Sequence, residues 1–272
     1  MAYIETALTF ECGENRMIGV AAIPEIPDGR GVLIVVGGPQ YRVGSHRQFT
    51  LLSRDLARAG ISCMRFDCRG MGDSEGELRN FESINDDIGS AVDAFIGQCP
   101  EVREVLLWGL CDAATAAIFY ARHDPRISGL VLLNPWARTA EGQAKAMVRH
   151  YYLSRLTDKA LWKKLLSGKF DFRSSLKDLS GSISDMKGQR EEASLPERMR
   201  SCLEKFEGRI LLIMSGKDLT AKEFDDLAKS QSWRSLSARF ERRDLMEADH
   251  TFSRRIWRNQ VSQWTEEWVR SW

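Results

Sequence analysis

The stretch from residue 104 to residue 120 places a single cysteine between an apolar run and a run of small, helix-forming residues. The apolar run ends at Gly109, Cys111 follows it, and an alanine-rich segment begins immediately afterwards. This order is typical of a nucleophile elbow, in which a strand turns sharply into a helix and holds one reactive side chain at the turn. The usual pattern is G-x-S-x-G, and here it reads Gly109-Leu-Cys-Asp-Ala113. Cysteine at the serine position predicts a thiolate nucleophile.

Length and composition limit the class of protein. A chain of 272 residues is long for one domain but suits a single α/β domain with an insertion. A formal net charge of +1 and 43% hydrophobic residues argue against disorder and against nucleic-acid binding. No apolar run reaches the ~20 residues that span a bilayer, and the N-terminus lacks the features of a secretory signal. We therefore expect a cytoplasmic protein without a membrane span.

The cysteines lack the spacing of a metal cluster. None of the six forms a paired C-x-x-C motif, which argues against a zinc site. We expect a reducing compartment, mostly buried thiols, no metal and no cofactor. The expected partner is a small-molecule acyl substrate, and the oligomeric state stays open.

Strand-like and helix-like segments alternate along most of the chain. The β-rich runs lie at 31–36, 61–66, 105–108, 127–133, 210–214 and 238–242, and helical patterns separate most of them. This alternation predicts an α/β fold, with a mostly parallel eight-stranded sheet and helices on both faces. Residues 6–11 and 17–23 predict an antiparallel hairpin at its edge. Ser45 and Gln48 form a capping-box pattern that predicts the start of a helix.

The alternation stops between residues 137 and 207. This segment has no β-rich run, is helical in composition, and contains more basic than acidic residues. We interpret 137–207 as a helical cap inserted between two strands, with 1–136 and 208–272 forming the core. The alternative is a helical layer without a role in substrate access.

A cysteine nucleophile needs a base within hydrogen-bond reach and a third group that orients the base. His250 follows the last predicted strand, and Asp218 follows the strand before it. Taken singly, a cysteine before a helix is more often a buried small residue, and the aspartate could merely cap a helix. Together, at three strand ends and in the order nucleophile, acid, histidine, they predict a Cys111–His250–Asp218 triad.

Acyl transfer also needs donors for the developing oxyanion. One is the backbone N–H of Asp112 at a helix N-terminus, and the other should come from the loop Gly37-Gly-Pro-Gln40. Because Pro39 has no N–H, the second donor is Gly38 or Gln40. The Asp112 carboxylate opposes thiolate formation, and its side chain either stays near the helix dipole or faces the pocket.

The residues after this loop are candidates for binding a polar or anionic group of the substrate, although ordinary surface positions are the alternative. These candidates are Gln40, Tyr41, Arg42 and His46.

Taken together, the 37–40 loop, the 66–76 loop, the elbow, the 215–218 segment and Asp249-His250 resemble the α/β-hydrolase superfamily. More closely, 37–49 with 109–113 resembles the exosortase A system-associated hydrolase 1 family, encoded beside exopolysaccharide and protein-sorting systems in Gram-negative bacteria. The resemblance implies a cytoplasmic hydrolase. Dienelactone hydrolases and polyhydroxyalkanoate synthases also use a thiol nucleophile, so thioester and lactone chemistry stay open.

The sequence therefore predicts a hydrolase that cleaves an ester or thioester through a covalent acyl-enzyme. One alternative is an acyltransferase that moves an acyl group from a thioester to a hydroxyl acceptor. Another is a non-catalytic accessory protein that retains the fold.

Overall fold

The computed structural model describes residues 1–38, 40–138 and 193–272. The chain forms two compact units, one made of Met1–Ala137 with Met199–Trp272 and the other of Arg138–Arg198. Most of the second unit, and with it most of the predicted cap, lies outside the described residues. The helical character of the cap therefore stays a prediction.

The first unit is built on a single eight-stranded sheet in the order β1-β2-β4-β3-β5-β6-β7-β8. The strands are β1 (Tyr3–Cys12), β2 (Asn15–Pro24), β3 (Arg30–Val35), β4 (Ser62–Phe66), β5 (Glu104–Leu110), β6 (Ile127–Leu133), β7 (Arg209–Ser215) and β8 (Phe240–Leu245). The pairs β1–β2 and β2–β4 are antiparallel, and all other neighbouring strands are parallel. This confirms the predicted sheet, including the hairpin at its edge.

Seven α-helices lie in the described part of the chain. They are α1 (Gln48–Arg58), α2 (Asn85–Gln98), α3 (Asp112–Ala121), α4 (Leu195–Lys205), α5 (Leu219–Ala228), α6 (Arg234–Ser237) and α7 (Arg255–Val269). None of the described helices is long and apolar enough to cross a membrane.

The capping box predicted at Ser45 and Gln48 is wrong. Ser45–Arg47 forms a separate 3₁₀ turn in which His46 and Arg47 have positive φ angles. Helix α1 then begins at Gln48 without a side-chain cap. The left-handed residues break the helix between the two members of the sequence pattern, so the Ser45 side chain cannot reach the helix N-terminus.

The central strands are apolar along almost their whole length because both faces of the sheet are covered. On one face, alternate residues of β3, β5, β6 and β7 form one core cluster with Phe49, Leu52 and Leu56 of α1 and Val261 and Trp268 of α7. Parallel strands end at the same edge of a sheet, so the segments after β3, β5, β7 and β8 meet there. This edge carries the candidate site.

Gly109 in β5 permits the tight turn from strand to helix. A Cβ atom at this position would lie 2.6 Å from the backbone carbonyl atoms of Ala113 and 2.7 Å from the Ala114 nitrogen. Backbone atoms of a helix cannot move aside as a flexible side chain can. The strand and the helix therefore approach this closely only with glycine at position 109.

We predict that Gly109→Ala lowers the free energy of unfolding by about 1–3 kcal/mol, because the added methyl group overlaps backbone atoms. Gly97→Ala in α2 is the matched control: a Cβ atom there has no neighbour within 4 Å. In the control, alanine should leave stability unchanged or raise it by up to about 1 kcal/mol, because it favours the helix. Urea denaturation of both variants measures the difference, and equal effects would contradict the prediction.

Candidate active site

Cys111 stands at the turn between β5 and α3 in a strained backbone conformation. Its φ of 62° and ψ of −122° lie in a region that non-glycine residues rarely adopt. Its N–H donates to the Leu133 carbonyl at 2.9 Å, and its own carbonyl accepts from Trp136 N–H and Ala114 N–H, each at 3.1 Å. These bonds to β6 and to the segment after it hold the strained turn in place. The nucleophile elbow predicted from the sequence thus has the expected geometry.

The other predicted triad residues meet at the same edge of the sheet. His250 Nδ1 and Asp218 Oδ2 are 2.8 Å apart. Asp218 also caps α5, where its carboxylate accepts from Thr220 N–H at 3.3 Å and from Ala221 N–H at 3.0 Å. The two alternative interpretations of Asp218, helix cap and partner of the histidine, therefore both apply. The cap fixes the carboxylate that orients the imidazole.

The environment of His250 favours its charged form. The hydrogen bond to Asp218 and then the hydrogen bond to Cys111 raise the pKa of His250 from 6.5 to about 10, against the opposing effect of burial. Because Nδ1 contacts Asp218, Nε2 is the ring nitrogen available to the sulfur. At neutral pH the imidazole thus carries a proton beside Cys111. The structure brings all three predicted residues together in one hydrogen-bonded series.

All six cysteines lie in the described part of the chain, and Cys111 differs from the others in exposure. It is partly exposed, whereas Cys12, Cys63, Cys68, Cys99 and Cys202 are buried. The expectation of mostly buried thiols is therefore confirmed. Burial raises the pKa of Cys63 to about 12 and that of Cys99 to about 11. These two thiols therefore stay protonated at neutral pH.

Asn134 is a site residue that sequence reasoning missed. It is fully buried directly after β6, with a φ of 43°. Its side-chain nitrogen donates to the His250 carbonyl at 3.1 Å, and its side-chain oxygen accepts from Ser215 N–H at 2.9 Å. Asn134 thereby ties the loop that carries the histidine to the ends of β6 and β7. One feature of the sequence could have indicated this residue: an asparagine stands immediately after a predicted buried strand, and asparagine tolerates positive φ better than most residues.

The Asp112 side chain lies against the two predicted oxyanion donors. Its Oδ2 accepts from Gly38 N–H at 2.8 Å, and its Oδ1 accepts from Ala113 N–H at 2.9 Å. The Asp112 N–H also interacts with the carboxylate of its own residue. Burial raises the pKa of Asp112, and these hydrogen bonds offset the increase only in part. The expectation of open N–H groups at Gly38 and Asp112 is thus corrected: the carboxylate occupies them.

The described residues line a cavity of about 300 Å³ beside the sulfur. Its walls are Gly37, Gly38, Gln40, Phe49, Phe81, Leu110, Cys111, Asp112, Trp136 and His250. Of the four predicted substrate-binding residues, Gln40 lines this cavity. Its side-chain oxygen is buried and has no hydrogen-bond partner among the described residues.

The structure does not bring the other three candidates to the cavity, which corrects that expectation. The Arg42 guanidinium forms ion pairs with the buried Asp67 carboxylate and with Asp73. Tyr41 and His46 are exposed. The acidic partners of Arg42 come from the loop after β4, and this pairing holds the arginine away from the substrate side.

Fold and site together define an α/β-hydrolase. Residues 29–194 match the model of the family described as serine aminopeptidase, S33. This match covers more than half of the chain, which therefore belongs to that family of hydrolases. The family description names serine, whereas the elbow of this chain carries Cys111.

Solved structures show the same fold at low sequence identity. An esterase from Pyrococcus furiosus aligns with a TM-score of 0.67 and 15% identity, over 100% of this chain and 93% of that one. A dienelactone hydrolase from Anabaena variabilis aligns with a TM-score of 0.64 and 16% identity, over 99% of this chain and 98% of that one. These likenesses confirm the predicted α/β-hydrolase fold.

One curated protein shares a shorter segment. A polyketide transferase from a Penicillium species is 32% identical over 80 residues. That segment is 28% of this chain and 27% of the transferase, so the chain matches about a quarter of its relative's length.

We predict that Asn134→Ala lowers the free energy of unfolding by about 2–4 kcal/mol. The change leaves the Ser215 N–H and the His250 carbonyl without their partner and forces alanine into positive φ. Urea denaturation measures the loss. Asn259→Ala on the exposed side of α7 is the control and should change stability by less than about 0.5 kcal/mol. Similar values for the two variants would contradict the role assigned to Asn134.

The raised pKa of His250 predicts a pH-dependent contribution to stability. A proton on His250 favours the folded state, so the contribution is complete below about pH 6.5 and disappears as the pH rises towards about 10. The stability difference between the wild type and His250→Gln, measured by urea denaturation across this range, should shrink with rising pH. In an Asp218→Asn background the pH dependence should weaken, because that carboxylate is the main cause of the shift. A difference that is constant with pH would contradict the prediction.

Proposed function

We propose that this protein hydrolyses an ester or thioester through a covalent acyl-enzyme on Cys111. The observation that carries the proposal is the hydrogen-bonded series from Asp218 through His250 to Cys111. The sulfur in this series stands at a strained turn beside a cavity. A nucleophile, a base and a group that orients the base are the parts that acyl transfer requires.

In the first half of the reaction, the Cys111 sulfur attacks the carbonyl carbon of the substrate. The thiol proton resides on His250, Asp218 stabilises the resulting imidazolium, and the carbonyl oxygen becomes an oxyanion. When the tetrahedral intermediate collapses, the bond to the leaving alcohol or thiol breaks. His250 then gives its proton to that leaving group, and a thioester to Cys111 remains.

In the second half, water attacks the thioester carbon while His250 accepts a proton from it. Collapse of this second intermediate breaks the C–S bond, and the proton on His250 stays beside the released sulfur. The products are the free acid and the enzyme in its starting state.

The lining of the cavity supports an acyl substrate. Phe49, Phe81, Leu110 and Trp136 provide apolar walls, and the polar side chains of the lining are Gln40, Cys111, Asp112 and His250. This pattern is typical of small-molecule sites, in which apolar walls bind and a few polar groups orient. Two of the structural relatives are an esterase and a dienelactone hydrolase, which supports an ester-type bond as the target.

A second candidate function is acyl transfer from a thioester to a hydroxyl acceptor. The segment of 80 residues shared with a polyketide transferase favours it. The chemistry differs in one step only, because an alcohol replaces water as the species that attacks the acyl-enzyme. The cytoplasmic location and the link to exopolysaccharide or protein-sorting systems remain proposals that rest on the 37–49 and 109–113 motifs.

The test of both candidates is the acyl-enzyme itself. Incubation with p-nitrophenyl butyrate or with the butanoyl thioester of N-acetylcysteamine should add one acyl group to the wild type in intact-mass spectra. Cys111→Ala should show no adduct and should lose at least about 1000-fold in kcat, because the nucleophile is absent. Cys99→Ala, which alters a buried cysteine outside the cavity, is the matched control and should retain both adduct and turnover.

Adding glycerol as an acceptor separates hydrolysis from transfer. Free butyrate as the main product supports hydrolysis, and a glycerol ester supports transfer. Equal turnover by the wild type and Cys111→Ala would remove the cysteine from the mechanism. An absence of adduct together with failure of iodoacetamide to alkylate Cys111 at neutral pH would favour the non-catalytic alternative.

A further inference from the structure

The oxyanion site of this protein already contains an anion, the Asp112 carboxylate. Its Oδ2 accepts at 2.8 Å from the N–H of Gly38, one of the two predicted oxyanion donors, and its Oδ1 accepts at 2.9 Å from the neighbouring N–H of Ala113. In an acyl-transfer enzyme the N–H groups at this place must bind the carbonyl oxygen of the substrate. A carboxylate is a stronger acceptor than a neutral carbonyl. The Asp112 carboxylate therefore competes with the carbonyl oxygen of the substrate for these N–H groups.

Gly37 makes this arrangement possible. A Cβ atom at position 37 would lie 2.1 Å from Asp112 Oδ1, well inside van der Waals contact. Any other residue at position 37 would thus exclude the carboxylate from its present place. The loop after β3 is built so that the side chain of Asp112 fits beneath it.

An incoming carbonyl must move this carboxylate, and the described walls of the cavity offer it few donors, of which the Gln40 side-chain amide is one. The walls other than glycine backbone are apolar except for Gln40, Cys111 and His250. The imidazole of His250 is already engaged by Asp218 and Cys111. A carboxylate that enters an apolar cavity without a partner carries a large desolvation cost. A hydroxyl group on the substrate is a donor that would offset this cost.

Gln40 is another polar residue that lines this cavity, and its side-chain oxygen is buried without a hydrogen-bond partner among the described residues. A hydroxyl group on the substrate can donate a hydrogen bond to the displaced Asp112 carboxylate.

We propose that Asp112 occupies the oxyanion site between turnovers and selects acyl groups that carry a hydroxyl beside the carbonyl, to which the displaced carboxylate binds. The inference rests on the proposed function, because it assumes that Cys111 is acylated. It assigns Asp112 the role of a specificity residue that contacts the substrate. It also narrows the substrate class to hydroxyacyl esters and thioesters.

The test compares lactoyl and propanoyl thioesters of N-acetylcysteamine, which differ by one hydroxyl group. The wild type should have a kcat/KM for the lactoyl compound about tenfold or more above that for the propanoyl compound. In Asp112→Ala this ratio should fall to about twofold, and kcat/KM for the propanoyl compound should rise. Differences in intrinsic reactivity cancel, because the same two substrates are compared in both proteins.

A second measurement does not depend on turnover. A trifluoromethyl ketone forms a reversible adduct with a thiolate and places its oxyanion in the donor site. Its Ki should be about tenfold lower for Asp112→Ala, because the site is then empty and the neighbouring negative charge is gone. Asp86→Ala removes an exposed acidic residue from the first turn of α2 and should change neither the Ki nor the substrate ratio. Where Asp112→Ala does not fold, Asp112→Asn serves, because a carboxamide cannot accept from both N–H groups at once.

The outcomes separate this inference from the proposed function. An unchanged lactoyl-to-propanoyl ratio, or an unchanged or higher Ki, in a folded Asp112 variant overturns the role of Asp112 while the acyl-enzyme on Cys111 stands. The absence of any adduct on Cys111 in both the wild type and the variant overturns the proposed function and this inference together.

Discussion

The close approach of three backbone segments around Cys111 is the constraint on which the rest of the site depends. The end of β5, the first turn of α3 and the loop after β3 meet here at distances that leave no room for side chains. Gly109 faces the backbone of Ala113, and Gly37 faces the nitrogen of the same residue. The short side chains at 37, 109 and 113 let strand, helix and loop meet, and the strained φ of Cys111 aims its sulfur outward. Hydrogen bonds to Leu133 and Trp136 resist relaxation of this turn.

Much of this arrangement follows from local sequence patterns. The apolar runs of β3, β5, β6 and β7 predict buried parallel strands, and parallel strands bring their carboxyl ends to one edge. The meeting of Cys111, Asp218 and His250 is therefore a consequence of topology. Residues separated by more than a hundred positions could be assigned to one site because each follows a recognisable strand. The elbow could be predicted because strand, turn and helix are contiguous in the chain.

Most of the features that escaped prediction depend on partners that are distant in sequence. Arg42 follows the oxyanion loop, but its guanidinium forms an ion pair with Asp67, which lies directly after β4. In the sequence Asn134 resembles an ordinary loop residue. Only the fold shows that its side chain binds the backbone of Ser215, at the end of β7, and of His250. The capping box at Ser45 satisfied a local pattern and failed because two left-handed residues interrupt the backbone. A sequence pattern cannot rank competing partners whose distances are fixed only by the fold.

The position of Asp112 also resolves an electrostatic conflict. A carboxylate beside the nucleophile should oppose formation of a thiolate, and the sequence offers no way to judge how strongly. In the structure the carboxylate accepts from one backbone N–H of the loop after β3 and from one at the start of α3, and these donors partly neutralise its charge. The imidazolium of His250 is hydrogen-bonded to Asp218 and Cys111, and its charge also acts to lower the pKa of Asp112. The Gly38 N–H that binds the carboxylate is also one of the two donors predicted to bind the oxyanion. One N–H cannot bind both the carboxylate and an oxyanion at full strength. Under the proposed mechanism, the carboxylate must therefore leave the Gly38 N–H each time that an oxyanion binds there.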